Sequence, residues 1–325
     1  MHTAVVILNW NTKGFLERFL PGVCASVEGM DAEVIVADNA STDGSAELLR
    51  RDFPAVRLIQ LDRNYGFTGG YNRALAEVDA DLFVLLNTDV EVTPGWLKPL
   101  VEYMEAHPDC GACGPKLHSW QQRDHFEYAG AAGGLLDRYG YPFCRGRILS
   151  RVAEDKGQYD TVENVFWITG ACLMVRSSLW RELGGLDDRF FAHMEEIDLC
   201  WRLQLAGYRI TAIPDSLVYH VGGGTLPQTS PLTLKLNFRN SLLMLENNLP
   251  ATVGKTTARL RIFIRKVLDG CAAAAYLLTL RGSCAKAVLE AHREYRKLKK
   301  KRPAPQPGKK ALHGFYQGLM ILHKI

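Results

Sequence analysis

The sequence has no uninterrupted apolar run of the roughly 18–20 residues that a membrane-spanning helix needs, which excludes a helical transmembrane protein. Its start, Met1-His-Thr followed by Ala4 to Leu8, offers neither a basic n-region nor a small-residue cleavage site. A cytoplasmic location, at most peripheral on the inner face of the membrane, is therefore expected. The first strand-to-helix turn lacks Gly-x-Gly-x-x-Gly, and no Gly-x-x-x-x-Gly-Lys-Ser/Thr occurs anywhere, which argues against dehydrogenases and P-loop NTPases. The eight cysteines are scattered, several within apolar runs, so a disulfide frame is not expected. Cys110-Gly-Ala-Cys113 has no second Cys or His pair to complete a zinc site and reads as a packed turn. With 47% hydrophobic and 23% charged residues, the chain is too apolar for disorder.

Negative charge is scarce at one end. Residues 255–310 hold 16 Lys or Arg against only Asp269, Glu290 and Glu294, although the whole chain carries just +4. An acidic body with a basic tail implies separate tasks. Within the tail, Leu260, Ile262, Phe263, Ile264, Val267 and Leu268 alternate with Arg259, Arg261, Arg265 and Lys266. This pattern suits an interfacial helix on an anionic membrane or a helix packed on the body. No nucleic-acid partner is expected, because aromatic interleaving and a helix-turn-helix context are missing. Pro303 to Pro307 reads as a linker before a short apolar helix.

What is present in the first 115 residues is an alternation of two periods. Ala4–Leu8, Glu33–Ala37, Val56–Gln60 and Leu82–Leu86 read as strands. Asn11 to about Glu28, Ser45–Asp52, Gly70–Val78 and a stretch after Pro94 through Met104 read as helices, and a short strand follows near Cys110–Gly114. Such alternation predicts an α/β fold with a parallel, doubly wound sheet whose ligand sits beyond the carboxyl ends of the strands. Those ends carry Asn9-Trp-Asn11, Asp38-Asn-Ala-Ser-Thr-Asp-Gly-Ser45 and Asn87-Thr-Asp-Val-Glu91. Between the last two lies the glycine-rich Asn64-Tyr-Gly-Phe-Thr-Gly-Gly-Tyr-Asn72. One such loop could be a cap or a turn. Three on one edge favour a ligand, with Asp38 toward a ribose or base and Asp89 toward Mg²⁺ or Mn²⁺ and a diphosphate.

Together with Gly170-Ala-Cys-Leu-Met-Val-Arg176, Gly184-Gly-Leu-Asp187, Glu195-Glu-Ile-Asp-Leu-Cys-Trp-Arg202 and Tyr219-His220, these blocks resemble the family 2 glycosyltransferases, particularly bacterial rhamnosyltransferase-like members. The resemblance runs from about Val5 to about Asn248. It implies a GT-A fold: a mostly parallel central sheet flanked by helices. Residues 1–115 would form the nucleotide-sugar half, 116–250 the acceptor half, and 251–325 a basic helical extension. It further implies nucleotide-sugar contacts at Asn9, Asp38, Asn64, Gly69, Asn72, Asn87 and Arg239, the last for the diphosphate or for helix anchoring. A divalent metal, Mg²⁺ or Mn²⁺, would sit on Asp89 and His220, and Asn87 replaces the first Asp of the usual Asp-x-Asp. The general base would be Glu196, where Asp is usual, or its rival Asp198.

The chemistry accounts for these residue types. A departing diphosphate needs its charge neutralised, and the acceptor hydroxyl needs a carboxylate to take its proton. The carboxylates of Glu195, Glu196 and Asp198 could instead merely favour a helix N-terminus. The implied activity is inverting transfer of a sugar, rhamnose among the candidates, from a nucleotide-diphosphate sugar to a glycan or lipid-linked acceptor in surface polysaccharide assembly. The alternatives are a non-catalytic nucleotide- or glycan-binding relative and a sugar nucleotidyltransferase. The latter's basic glycine-rich first loop is replaced here by Asn9-Trp-Asn-Thr-Lys13. Trp167, Trp180 and Trp201 are expected in the core, with Ile197 and Leu205. Ser119–Gly157 reads as a long acceptor-side loop that orders on substrate.

Overall fold

The computed structural model describes residues 1–222, 230–299 and 312–320. The apolar runs of the N-terminal third form four strands, β1 (Thr3–Asn9), β2 (Ala32–Asp38), β3 (Arg57–Gln60) and β4 (Leu82–Asn87). Helices α1 (Lys13–Ser26), α2 (Ser45–Asp52) and α3 (Gly66–Ala76) connect them. All four strands pair in parallel in the order β3-β2-β1-β4. The register sets Asn9 opposite Asp38 and Leu8 opposite Asn87, so the polar residues gather on one edge. Successive side chains point to opposite faces. Val5 and Ile7 therefore join Leu16 and Leu20 of α1 in one core, while Ala4 and Val6 join Tyr71 and Leu75 of α3 in the other.

Beyond β4 come β5 (Val90–Val92), α4 (Leu97–Ala106), β6 (Cys110–Ser119), β7 (Gly134–Asp137), β8 (Pro142–Cys144), β9 (Arg147–Ile148), β10 (Arg151–Val152) and β11 (Glu163–Asn164). They are followed by β12 (Cys172–Arg176), α5 (Ser177–Glu182), α6 (Glu195–Leu205) and β13 (Arg209–His220). The main sheet continues from β4 through β12, β6 and β13 to β11. Strand β12 runs antiparallel to both neighbours, whereas β13 is parallel to β6. The sheet is thus parallel in its N-terminal half and mixed in the other half. Trp167, Trp180, Ile197, Trp201 and Leu205 are buried, as their apolar spacing predicted.

Three local expectations change. Cys110 and Cys113 lie within a ten-residue strand rather than a turn, both thiols buried and pushed up in pKa by desolvation. The stretch from Ser119 to Gly157 is not a loop awaiting substrate: β7 to β10 build a second sheet with β14 (Phe315–Tyr316) at its edge. Phe315 and Tyr316 are thereby a strand where a final helix was expected, and the linker at 303–307 lies outside the described residues.

The C-terminal helices α7 (Pro231–Val253), α8 (Lys255–Leu278) and α9 (Gly282–Leu298) pack on one another, and α7 also packs on α6. Ser230 caps α7 by accepting from Thr233 N at 3.0 Å, with Pro231 at the first helical position. Helix α8 turns Arg265 and Asp269 inward, where their side chains pair at 2.8 Å, and leaves most of its large apolar residues outside. Among the described residues, no helix is long and apolar enough to cross a membrane.

Candidate functional site

The edge formed by β1, β2 and β4 is held by a polar network that begins at Asn9. Its Nδ2 donates to Asp38 Oδ1 at 2.8 Å and to Ser41 Oγ at 3.0 Å, and its Oδ1 accepts from Thr12 Oγ1 at 2.6 Å. Ser41 N donates to the other Asp38 oxygen at 3.1 Å. Asp38 is thereby fixed at the end of β2, and Asn9 is the residue that fixes it. Asn11, at a φ of 53°, accepts from Thr42 N at 2.7 Å and ties the first loop to the second.

The second group lies where β5 meets β13. Their antiparallel pairing places His220 opposite Val90, and Val221 N donates to Asp89 O at 3.0 Å. His220 Nε2 then lies 3.2 Å from Asp89 Oδ1, and its Nδ1 lies 3.4 Å from Glu127 Oε1. All three residues are buried. Burial alone would lower the imidazole pKa, but Glu127 and Asp89 on either side raise it to about 10. Glu127, not anticipated from the sequence, comes from the segment after β6 and has no motif around it. A cavity of about 430 Å³ opens beside Glu127 and His220, lined also by Ser119, Gln121, Gln122 and Tyr128.

The third group is the entry to α6. Phe191, His193 and Met194 all have φ between 66° and 71°, a left-handed run that costs energy for residues with a Cβ. The surroundings hold it there. Phe191 O accepts from the amides of Phe67 and Thr68 at the start of α3, at 2.8 and 3.2 Å. Asn240 Nδ2 lies 2.7 Å from the carbonyl oxygens of both Ala192 and His193. This loop delivers Glu195 and Glu196 to the first turn of α6. Glu196 Oε2 is buried and has no hydrogen-bond partner among the described residues, as is true of Glu195 Oε2 and His193 Nε2. Desolvation raises the Glu196 carboxyl to about 7, against the opposing pull of the amides of Glu196, Ile197 and Gly170. Glu196 reaches the β4 edge through the segment before β12. A Cβ on Gly170 would stand 3.8 Å from that of Glu196, and the adjoining Ala171 O accepts from Asn87 N at 2.9 Å.

Several of the residues expected at the ligand are engaged in contacts within the protein. Asp198 is fully enclosed, its carboxylate accepting from Arg202 Nε at 2.8 Å, Asn247 at 3.0 Å and Asn248 at 2.8 Å. These contacts join α6 to α7 and engage both carboxylate oxygens. Arg239 donates to Phe190 O at 2.7 Å and pairs with Glu294 at 3.0 Å, contacts that anchor α7 to the loop before α6 and to α9. Asn72 clamps the Gly184-Gly185 turn through Leu186 N and O at 2.9 and 2.8 Å. Asn64 caps Gly66 N at 2.7 Å and accepts from Asn39 at 3.0 Å. Gly69 is buried in α3, where a Cβ would meet Tyr65 Cβ at 2.9 Å. Helix α3 begins at Gly66, earlier than its apolar period indicates, because the Gly66 φ of 71° admits the turn and Phe191 O receives the next amides.

Asp89 and His220 fit a divalent cation as two ligands of a larger set: a hard carboxylate oxygen and an imidazole nitrogen whose other side faces a carboxylate. Among the described residues no cluster of three such side chains could hold the ion alone, so further oxygens would have to come from a bound diphosphate or water.

Comparison with known proteins shows the family and the fold. Residues 4–184 match the family described as Glycosyl transferase family 2. The chain is 30% identical over 234 residues to an N-acetylglucosaminyl-diphospho-decaprenol L-rhamnosyltransferase of Mycobacterium tuberculosis, covering 66% of this chain and 75% of that protein. It is 28% identical over 159 residues to the rhamnosyltransferase WbbL of Escherichia coli, covering 46% of this chain and 58% of that one. Among solved structures, the mannosyltransferase PcManGT of Pyrobaculum calidifontis, in complex with GDP-Man and Mn²⁺, superimposes with a TM-score of 0.56 at 16% identity, over 92% of this chain and 88% of that one.

Proposed function

The chain belongs to glycosyl transferase family 2 and is a glycosyltransferase with a GT-A fold, and from that premise we propose that it transfers a rhamnosyl group from a nucleotide-diphosphate sugar to a lipid-linked glycan with inversion. The names of the relatives support the rhamnosyl donor, the lipid-linked acceptor and a role in cell-surface glycan assembly. The observation that carries the mechanism is the unpartnered Glu196 Oε2 on α6, next to the Gly170-Ala171 segment that bonds to the end of β4.

In this reading Asp38, held by Asn9 and Ser41, accepts hydrogen bonds from the nucleoside. Asp89 and His220 would hold the divalent metal, which supplies positive charge for the diphosphate. Ligation requires His220, an imidazolium between the two carboxylates, to release its Nε2 proton to the entering cation, while Glu127 keeps the proton on Nδ1. Glu196, raised to about 7, is a carboxylate basic enough to take the acceptor hydroxyl's proton near neutrality. The acceptor oxygen bonds to the anomeric carbon as the carbon–oxygen bond to the diphosphate breaks, and that electron pair leaves with the diphosphate. One displacement inverts the centre, and no second carboxylate nucleophile is required.

The test is a thermal-shift screen of nucleoside diphosphates and nucleotide sugars with and without Mn²⁺, followed by turnover with the best donor. Ligand at 100 times its dissociation constant adds about 2.7 kcal/mol of stability. A metal-dependent shift with a rhamnosyl donor and a product of inverted configuration support the reading. A shift with another sugar nucleotide reassigns the donor. Binding without turnover on any lipid-linked acceptor removes the catalytic proposal.

A further inference from the structure

Helix α8 is amphipathic in a reversed sense. Its inward positions are Ala258, Ile262, Arg265, Asp269 and Ala273, spaced at helical intervals. The inward polar pair is fully employed. Arg265 Nε donates to Asp269, its Nη1 donates to Tyr139 O and Gly140 O at 3.1 Å each, and its guanidinium lies over the Tyr141 ring. His292 Nε2 of α9 closes the other Asp269 oxygen at 3.1 Å. With that orientation locked, Leu260, Phe263, Val267, Leu277 and Leu278 face solvent, Phe263 with 63% and Leu278 with 85% of its surface exposed. Leu280 and Leu289 continue the exposed apolar surface beyond the helix end. Solvent-facing aromatic and leucine side chains on one helix make a patch, which ordinary scattered surface residues do not.

The charge around the stripe is predominantly positive, with Glu290 paired to Lys286 at 3.9 Å. Lys255, Arg259, Arg281, Lys286, Arg293 and Arg296 are exposed along α8 and α9. The sole acidic residue of α8 is the buried Asp269, and Glu290 of α9 is only partly exposed. A second copy of this chain laid on the stripe would oppose cation to cation. An anionic surface would instead neutralise the rim while its interior accepts the apolar side chains. We infer that α8 docks in the plane of a bilayer rich in anionic phospholipid, with Leu260, Phe263, Val267 and Leu278 in the acyl boundary and the flanking Lys and Arg at the headgroups. The helix lies on the membrane and does not cross it. This surface is independent of the donor and acceptor proposed above, and vesicle binding can be read without turnover.

The experiment is co-sedimentation of the full chain with vesicles of phosphatidylcholine alone and with 30 mol% phosphatidylglycerol, at about 50 and 300 mM salt. The expected result is binding to the anionic vesicles only, weakened by salt, with about a fivefold loss for each well-placed cation neutralised, as in Arg259→Gln. Phe263→Asp with Val267→Asp should lower binding at least tenfold. Both positions are solvent-exposed, so the melting temperature and nucleotide binding should stay at wild-type values. Failure of the wild type to pellet with anionic vesicles overturns the inference, as does equal binding by the double variant. A dimer in sedimentation equilibrium that the double variant dissociates, without vesicle binding, would assign the stripe to self-association instead.

Discussion

Glu196 is the residue on which activity and stability pull in opposite directions. Its carboxyl is buried with Oε2 unpartnered, and desolvation raises it to about 7, above the ordinary value of about 4.3. A carboxyl whose folded pKa is raised contributes its stability below the unfolded pKa and loses it as pH climbs through the folded one. Glu196→Gln should therefore melt higher than wild type at pH 8, by about 1–3 kcal/mol, and equally at pH 4. The same variant should lose about 10²–10⁴-fold in kcat, and wild-type kcat/KM should rise with pH through about 7. A variant that keeps its turnover would remove Glu196 as the base. At the other carboxylate, Asp89→Asn should abolish the Mn²⁺-dependent part of the nucleotide thermal shift while leaving the fold intact. An unchanged metal dependence would move the ion elsewhere.

At the scale of elements, α6 is the part that catalysis and folding share. Its first turn presents Glu196, and two residues on Asp198 is gripped by Arg202 and by Asn247 and Asn248 of α7. Removing one member of a buried ion pair leaves the other charged and desolvated. Asp198→Ala should cost about 3–5 kcal/mol in urea denaturation. Its residual activity per folded molecule should exceed that of Glu196→Gln, and the reverse ranking would return Asp198 to the role of base. The loop before α6 stores the strain of three left-handed residues, held by Asn240 and the α3 amides. Arg239 and Asn240 thus hold the loop that delivers Glu196.

For the whole molecule, the basic tail is part of the body and not a detachable appendage. Val288, Ala291 and Tyr295 of α9 are buried, and Tyr295 donates to Glu246 of α7 at 2.8 Å. A chain ended at Gly254 would expose the face of α7 that these residues cover. Its melting temperature should fall by about 10 °C or more, as calorimetry would measure. An unchanged melting temperature would show the tail to be an independent unit. Membrane docking is therefore tested by surface substitutions and not by deletion.

The sequence determined the parallel half of the sheet and the polar edge above it, because short apolar runs and the residues that end them are local signals. Asn9, Asp38 and Asn87 could be placed on one edge because parallel strands in register bring their ends together. The tertiary structure decided which of the remaining polar residues are braces. Asp198 and Glu196 are alike in type and two residues apart, and only the arrival of Asn247 and Asn248 from α7 separates their roles. Glu127 is paired with His220 by strands that meet far apart in sequence, and no spacing announces it. Arg265 and Asp269 likewise look solvent-facing by composition, yet turn inward because carbonyls of Tyr139 and Gly140 and the imidazole of His292 receive them. Local pattern fixes which residues can bond, and the distant partner that removes them from water fixes what they do.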